Sequence, residues 1–148
     1  MKIIIIQLIC SFIASFAFGI QYNIKLRHIS VAAIGGGISQ LIFSLTEAAY
    51  GEELLNYFVA ACAISVYAEL MARILHVPVN MYLVIALIPL VPGAYIYNAM
   101  MTLISGNTAE FITQAAFTFG VAGSIAMGVF AVSSAVRLFS GIIKKKEK

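Results

Sequence analysis

Five apolar runs, at about residues 3–20, 29–45, 54–75, 77–104 and 111–143, take up most of this 148-residue chain. A helix needs about 20 apolar residues to cross the hydrocarbon core of a bilayer, and only a helix or a closed barrel satisfies its backbone there. The expected fold is therefore an all-α membrane protein with five transmembrane helices in a single membrane domain, residues 1–148. The balance of residue types agrees: 62% are hydrophobic and 10% charged, against roughly 45–50% and about 25% in soluble domains. Fifteen charges cannot cover the water-facing surface of a soluble globule of this size, so a soluble enzyme is excluded.

The charges that remain collect between the runs. Lys25, Arg27 and His28 follow the first, Glu47, Glu52 and Glu53 follow the second, Arg73 and His76 close the third, and Glu110 opens the fifth. Arg137 and the tail Lys144, Lys145, Lys146 and Lys148 end the chain. Lysine and arginine stay on the cytoplasmic side, which predicts the N-terminus outside and the C-terminus inside, with Lys2 the one dissenter. The start also mimics a secretory signal, since Lys2 precedes an apolar stretch and small residues surround Ser15 to Gly19. The run to residue 20 is long enough to span, and the charges behind it fit a retained first helix.

All six acids are glutamates, which removes any mechanism built on an aspartate. Cys10 and Cys62 sit in separate apolar runs without a CxxC neighbour, so neither a disulfide framework nor a metal site is expected. His28 and His76 belong to no HExxH pattern. No catalytic residue, metal or cofactor is expected, and the basic tail reads as a membrane-surface anchor rather than a nucleic-acid patch.

Polar and small residues inside the runs fall at steps of four, which places them on single helix faces. Gln7, Ser11, Ser15 and Gly19 line the first span; Tyr57, Ala61, Ser65, Glu69 and Arg73 the third; Ala116, Gly120, Ser124 and Gly128 the fifth. The second contributes Gly35, Gly36 and Gly37 with Gln40 and Ser44. Such stripes let helices approach closely, and bundle packing is their simplest use. Glu69 is different, because an ionisable group within a span is usually kept for function. It lies six residues before Leu75, about 9 Å inside the boundary. Two roles stand side by side: a structural pair in which Arg73 snorkels to the interface, and a coupling or gating pair.

The fourth run is 28 residues long and its middle reads Ile88-Pro89-Leu90-Val91-Pro92-Gly93. Proline lacks an N–H and clashes with the preceding turn, so the fourth helix is predicted to break at Pro89–Gly93 near mid-bilayer, leaving carbonyls around Ile85 and Ile88 without partners. Exposed carbonyls at the end of the first half suit an ammonium or a cation, and the amides from Gly93 onward suit a carboxylate. Tyr95, Tyr97, Asn98 and Thr102 follow with donors and acceptors. The candidate substrate-binding residues are Pro89, Pro92, Gly93, Tyr97 and Asn98; the candidate coupling or gating residues are Glu69 and Arg73. The plainer alternative is a proline kink filled by a neighbouring helix.

The segment from Ile88 to Met100 resembles the signature of the threonine/serine exporter (ThrE-type) family, and within it the small subunit that corresponds to the C-terminal half of the fused exporters. Phe16-Ala17-Phe18 through Asn23, Arg27 to Gly35, Ala68-Glu69 with Arg73, and Gly128 with Arg137 agree; Lys25 departs, in the first connecting turn. The resemblance implies a secondary exporter in the bacterial cell (inner) membrane, working with a larger membrane subunit that carries the N-terminal half. Its implied substrates are threonine and serine, or for split members a dicarboxylate such as succinate. An odd span count fits independently, because two consecutive five-span halves form an inverted repeat. A non-transporting scaffold for the larger subunit and a homo-oligomeric channel are the competing readings.

Overall fold

The computed structural model describes residues 2–146, with side chains over residues 4–138. The side chains of Lys2 and of the lysine tail, on which the expected orientation partly rests, lie outside the described residues. The chain forms α1 (Lys2–Gln21), α2 (Leu26–Tyr50), α3 (Glu53–Leu75), α4 (Val79–Leu87), a 3-10 turn (Ile88–Leu90), α5 (Gly93–Ile104) and α6 (Thr108–Lys146), with no strand among the described residues. Four helices are each long and apolar enough to cross a membrane, and the bent α4–α5 pair, a broken span or a re-entrant loop by length and composition, makes five when it is taken as one span. Helices α2, α3 and α6 start before their apolar runs, and α2 and α6 also continue past theirs. End charges such as Arg27, Glu47 and Glu110 ride on helical turns with their heads toward water.

The ends are capped locally. Gly51 closes α2 in the left-handed region (φ 67°) and donates its N–H to the Glu47 carbonyl, an arrangement glycine adopts without steric cost. At the start of α6, the Glu110 N–H donates to Asn107 Oδ1 (3.3 Å), and Asn107 Nδ2 donates to Glu110 Oε2 (2.7 Å). The first contact caps the helix as an N-cap asparagine does, and the second ties the two side chains together in place of the backbone half of a capping box.

Helix α1 packs on α2, α2 on α3, and α4 against both α2 and α3; α6 lies along α3, and α5 packs substantially only against α6. The interior is built from small side chains: Ala32, Ala33, Ala60, Ala61, Ala68, Ala86, Ser15, Ser39 and Ser65 are all buried, while large residues such as Ile5, Ile13, Ile74, Phe130 and Leu138 face outward. This distribution inverts the one water imposes. Lipid rewards close backbone approach instead, since acyl chains are as apolar as leucine and give helices no hydrophobic drive to associate.

The helices touch at the inner members of the small-residue stripes, Ser15 and Gly19 on α1, Ala61 and Ser65 on α3 and Gly128 on α6, while the outer members Gln7, Arg73 and Ala116 are exposed. A Cβ at Gly36 would stand 2.7 Å from Ser15 Cβ, and one at Gly128 would stand 2.8 Å from the Phe58 carbonyl oxygen and 2.9 Å from Ala61 Cβ. Glycine at these two positions sets the α1–α2 and α3–α6 separations. Ser39 and Ser65 donate to carbonyls of their own helices, Gly36 O at 2.8 Å and Ala61 O at 2.7 Å, so their burial leaves no hydroxyl unsatisfied.

The two arms of the fourth span, Val79–Leu90 and Gly93–Ile104, meet at 53°. Twelve residues of helix cover about 18 Å. Projected on the first arm, the second adds about 11 Å at the measured bend. The sum approaches the roughly 30 Å of a hydrocarbon core, so the bent pair crosses about as much depth as a straight span of 20 residues.

Candidate functional site

The site grows from the break. Pro89 sits inside the 3-10 turn and cannot donate to the Ile85 carbonyl. That oxygen is nevertheless taken, by the Ile88 N–H and by the Ser15 hydroxyl at 3.3 Å. The Ile88 carbonyl accepts the Val91 N–H (3.1 Å), and the Gly93 N–H turns back onto the Val91 carbonyl (2.7 Å). The expectation of unpartnered carbonyls at Ile85 and Ile88 is thus corrected. Tightening from α to 3-10 geometry moves each acceptor one residue closer, and the α1 stripe delivers a hydroxyl to the remaining lone pair.

The 3-10 turn is wedged among α1, α2 and α3. Leu90 is buried with Tyr57, Ala60 and Val121, which seals this side of the break. The open side belongs to α5, whose residues sort into three faces at 100° per residue. One face holds Pro92, Ile96, Ala99 and Met100. With Phe111 and Phe119 of α6 and their neighbours, these line an apolar cavity of about 430 Å³. A second face holds Tyr95 and Asn98, which with Thr113, Gln114 and Phe117 of α6 line a second cavity of about 340 Å³, polar by residue type although mostly carbon atoms face it. The third holds Gly93 and Tyr97, which face away from the protein; Tyr97 is 64% exposed, and nothing stands within 4 Å of where a Gly93 Cβ would be.

The residues expected to bind solute are therefore distributed. Pro89 is half-buried in the turn, Pro92 lines the apolar cavity, Asn98 lines the polar one, and Gly93 and Tyr97 lie on the uncovered face. Glu69 and Arg73 form a loose pair, Nε to Oε2 at 3.9 Å, with the arginine side chain more than half exposed. They stand far from the polar cavity. Ala68 and Ala72 beside them pack on Tyr82 of α4, whereas the cavity is reached from Glu53, sixteen residues and about 24 Å earlier along α3.

Tyr95 and Gln114 at the cavity, and Asn56 near Glu53 on α3, carry contacts that spacing alone did not reveal. Tyr95 donates its hydroxyl to Glu53 Oε2 at 2.5 Å and tilts against Phe117 with ring centroids 5.1 Å apart. Gln114 donates through Nε2 to Glu110 Oε1 at 3.2 Å, while its Oε1 is buried with no partner. Asn56, one turn beyond Glu53, is fully buried with both amide atoms unpartnered. Most buried polar atoms are satisfied, so two unsatisfied amides at one end of the molecule set that end apart. The available clue for Gln114 was its i,i+4 spacing from Glu110.

A comparison with family models identifies residues 7–135 as a match to the model described as Threonine/Serine exporter, ThrE. The chain belongs to the threonine/serine exporter family. The match covers the break, both cavities and the Glu69–Arg73 pair, and it points to a transporter rather than an enzyme: a multi-pass membrane protein whose substrate is a small molecule. No curated protein and no solved structure matches the chain. In this exporter the described residues hold no cluster of three or more histidines, cysteines or acids able to bind a metal. The chemistry on offer at the break is hydrogen bonding beside carboxylates.

Proposed function

We propose that the chain is one subunit of a secondary exporter of small polar amino acids of the threonine and serine type in the bacterial cell membrane, with its N-terminus outside and its C-terminus inside. A larger membrane subunit carrying the N-terminal half completes the solute path. The observation that carries this reading is the arm α5, which leaves the break with a polar cavity on one flank and an uncovered face, Gly93 and Tyr97, on another. Half of a path lies on this chain, and the open face is where a second subunit supplies the rest. Glu69 and Arg73, at the far end of α3, serve coupling or gating rather than solute contact.

The cavity walls favour an amino acid over a dicarboxylate. Its five lining residues include no cation, and the charges hydrogen-bonded to them, Glu53 and Glu110, are both acids. Replacing Pro92 and Gly93 together by alanine straightens the junction between the arms. Export of threonine from loaded cells expressing both subunits is expected to fall to background at normal protein levels; unchanged export would overturn the proposal. Full export by the larger subunit alone would make this chain a scaffold.

A further inference from the structure

On the first arm of the broken span, away from both α5 cavities, one hydrogen bond ties two helices together. His28, in the first turn of α2, holds Nδ1 2.7 Å from the hydroxyl oxygen of Tyr82 on α4. The tyrosine is fully buried, packed with Ala32 of α2, Ala68 and Ala72 of α3 and Ile85 of its own helix. None of those side chains accepts a hydrogen bond. The imidazole is only half-buried and stands next to the turn that joins α1 to α2.

These surroundings decide which atom donates. A buried donor left without an acceptor costs free energy, and His28 Nδ1 is the partner that the described residues give the Tyr82 hydroxyl. The Tyr82 O–H therefore donates to Nδ1, which requires a neutral imidazole with its proton on Nε2. Protonation removes the Nδ1 lone pair. The imidazolium then only donates, and the proton of the tyrosine is turned toward alanine and isoleucine side chains. A ring that is half-buried has another course open to it, which is to swing into water and keep its charge hydrated.

The ionisable groups around the pair act in the same sense. On α2 the charge of Arg27 reaches the Tyr82 hydroxyl and repels an imidazolium held there. On α3, Tyr67 is within electrostatic reach of Tyr82, and its own hydroxyl donates to the Val31 carbonyl at 2.8 Å. Glu69, the acid at this end of α3, is engaged by Arg73 at 3.9 Å, and His76 caps the helix from an exposed position. Tyr22 and Lys25, in the α1–α2 turn, are exposed.

We propose that His28 and Tyr82 form a proton-operated latch between α2 and the first arm of the broken span, closed while His28 is neutral and released when His28 takes up a proton. The contact favours the unprotonated ring, so it is present at high pH and lost as pH falls. Tyr82 lies three residues before Ile85 on the same buried face of α4, so its release loosens the arm just ahead of the 3-10 turn. In an exporter, the break then answers to the pH at the α1–α2 end of the membrane.

The experiment needs no transport. Hydrogen exchange of the α4 amides, corrected for the intrinsic pH dependence of exchange, is measured on the purified full chain at about pH 8 and about pH 5, on either side of the range in which histidine changes charge. An orphaned buried donor corresponds to about tenfold in an equilibrium, so protection is expected to fall about tenfold from the higher pH to the lower. His28→Asn places an amide oxygen where Nδ1 stood and does not titrate, and Tyr82→Phe has no hydroxyl to orphan; in both, protection is expected to change by less than about twofold. His76→Asn, at a left-handed position that asparagine tolerates, is expected to keep the full drop. No drop in the unmodified chain, an equal drop in His28→Asn or Tyr82→Phe, or its disappearance in His76→Asn overturns the latch.

A second measurement uses the unmodified chain alone, so no variant has to fold. The 15N chemical shifts of His28 are expected to show a proton on Nε2 only at about pH 8, and protons on both ring nitrogens at about pH 5. A proton on Nδ1 at the higher pH, or a ring still neutral at the lower, overturns the latch. If the chain exports no threonine, the exporter reading fails and these measurements still decide the latch. If the latch fails, the exporter reading, which rests on α5, is untouched.

Discussion

The two arms of the broken span have similar apolar content and opposite surroundings. Helix α4 sinks Tyr82, Ile85 and Ala86 between α2 and α3, whereas α5 buries Ala99 alone and leans on α6. The first arm is held by neighbours on several sides, and its backbone defect is closed by a hydroxyl from α1. The second is left with two faces that nothing from the α1–α4 body covers. A proline break here separates a segment committed to packing from one that remains available to a solute and a partner. The same sequence device thus yields anchorage on one side and chemistry on the other.

The largest expected difference between the arms is at their tyrosines. Tyr82 is fully buried with its hydroxyl 2.7 Å from His28 Nδ1, and Tyr82→Ala is expected to cost about 3–5 kcal/mol of stability in detergent denaturation, as large aromatic truncations do. Tyr97→Ala, on the exposed face, is expected to change it by less than about 0.5 kcal/mol. Equal costs would break the distinction. A smaller contrast compares glycines. Gly128→Ala drives a Cβ into the α3 backbone and is expected to cost about 1–3 kcal/mol, while Gly93→Ala meets open space and stays within about 0.5 kcal/mol. The smallest effect sharpens the account of the break itself. Ser15→Ala removes the hydroxyl on the Ile85 carbonyl and is expected to cost about 0.6 kcal/mol, the mean for such bonds between membrane helices, with faster hydrogen exchange at Ile88 as the local readout.

Much of this architecture is legible in the sequence, because lipid leaves few choices. Long apolar runs have to be helices, and Pro89 with Pro92 has to interrupt one of them. The stripes ending in Gly19 and Gly128 fall at contacts for the same reason, since small residues at steps of four allow close approach. What spacing could not show is how the defect is repaired. Nothing in the local sequence says that Ser15, seventy residues before Ile85, will find its carbonyl. The candidate site was legible only in part. Proximity in sequence grouped Pro92, Gly93, Tyr97 and Asn98, but a helix turns 100° per residue and spreads them over three faces. Gln114 reaches the cavity from α6, and Glu53 of α3 meets the Tyr95 hydroxyl, through contacts that only tertiary packing brings about.

The tight crossing at Gly128 bears on how movement would spread. Helix α6 runs unbroken for 39 residues, about 58 Å, and Gly128 lies close to its middle, pressed on the α3 backbone. Seven residues earlier Val121 is buried against Tyr57 and Ala60 of α3, so the two helices are joined along a seam rather than at a point. A tilt at the end that carries Gln114 and α5 would therefore have to carry α3 with it, the pair moving as one lever across the bilayer.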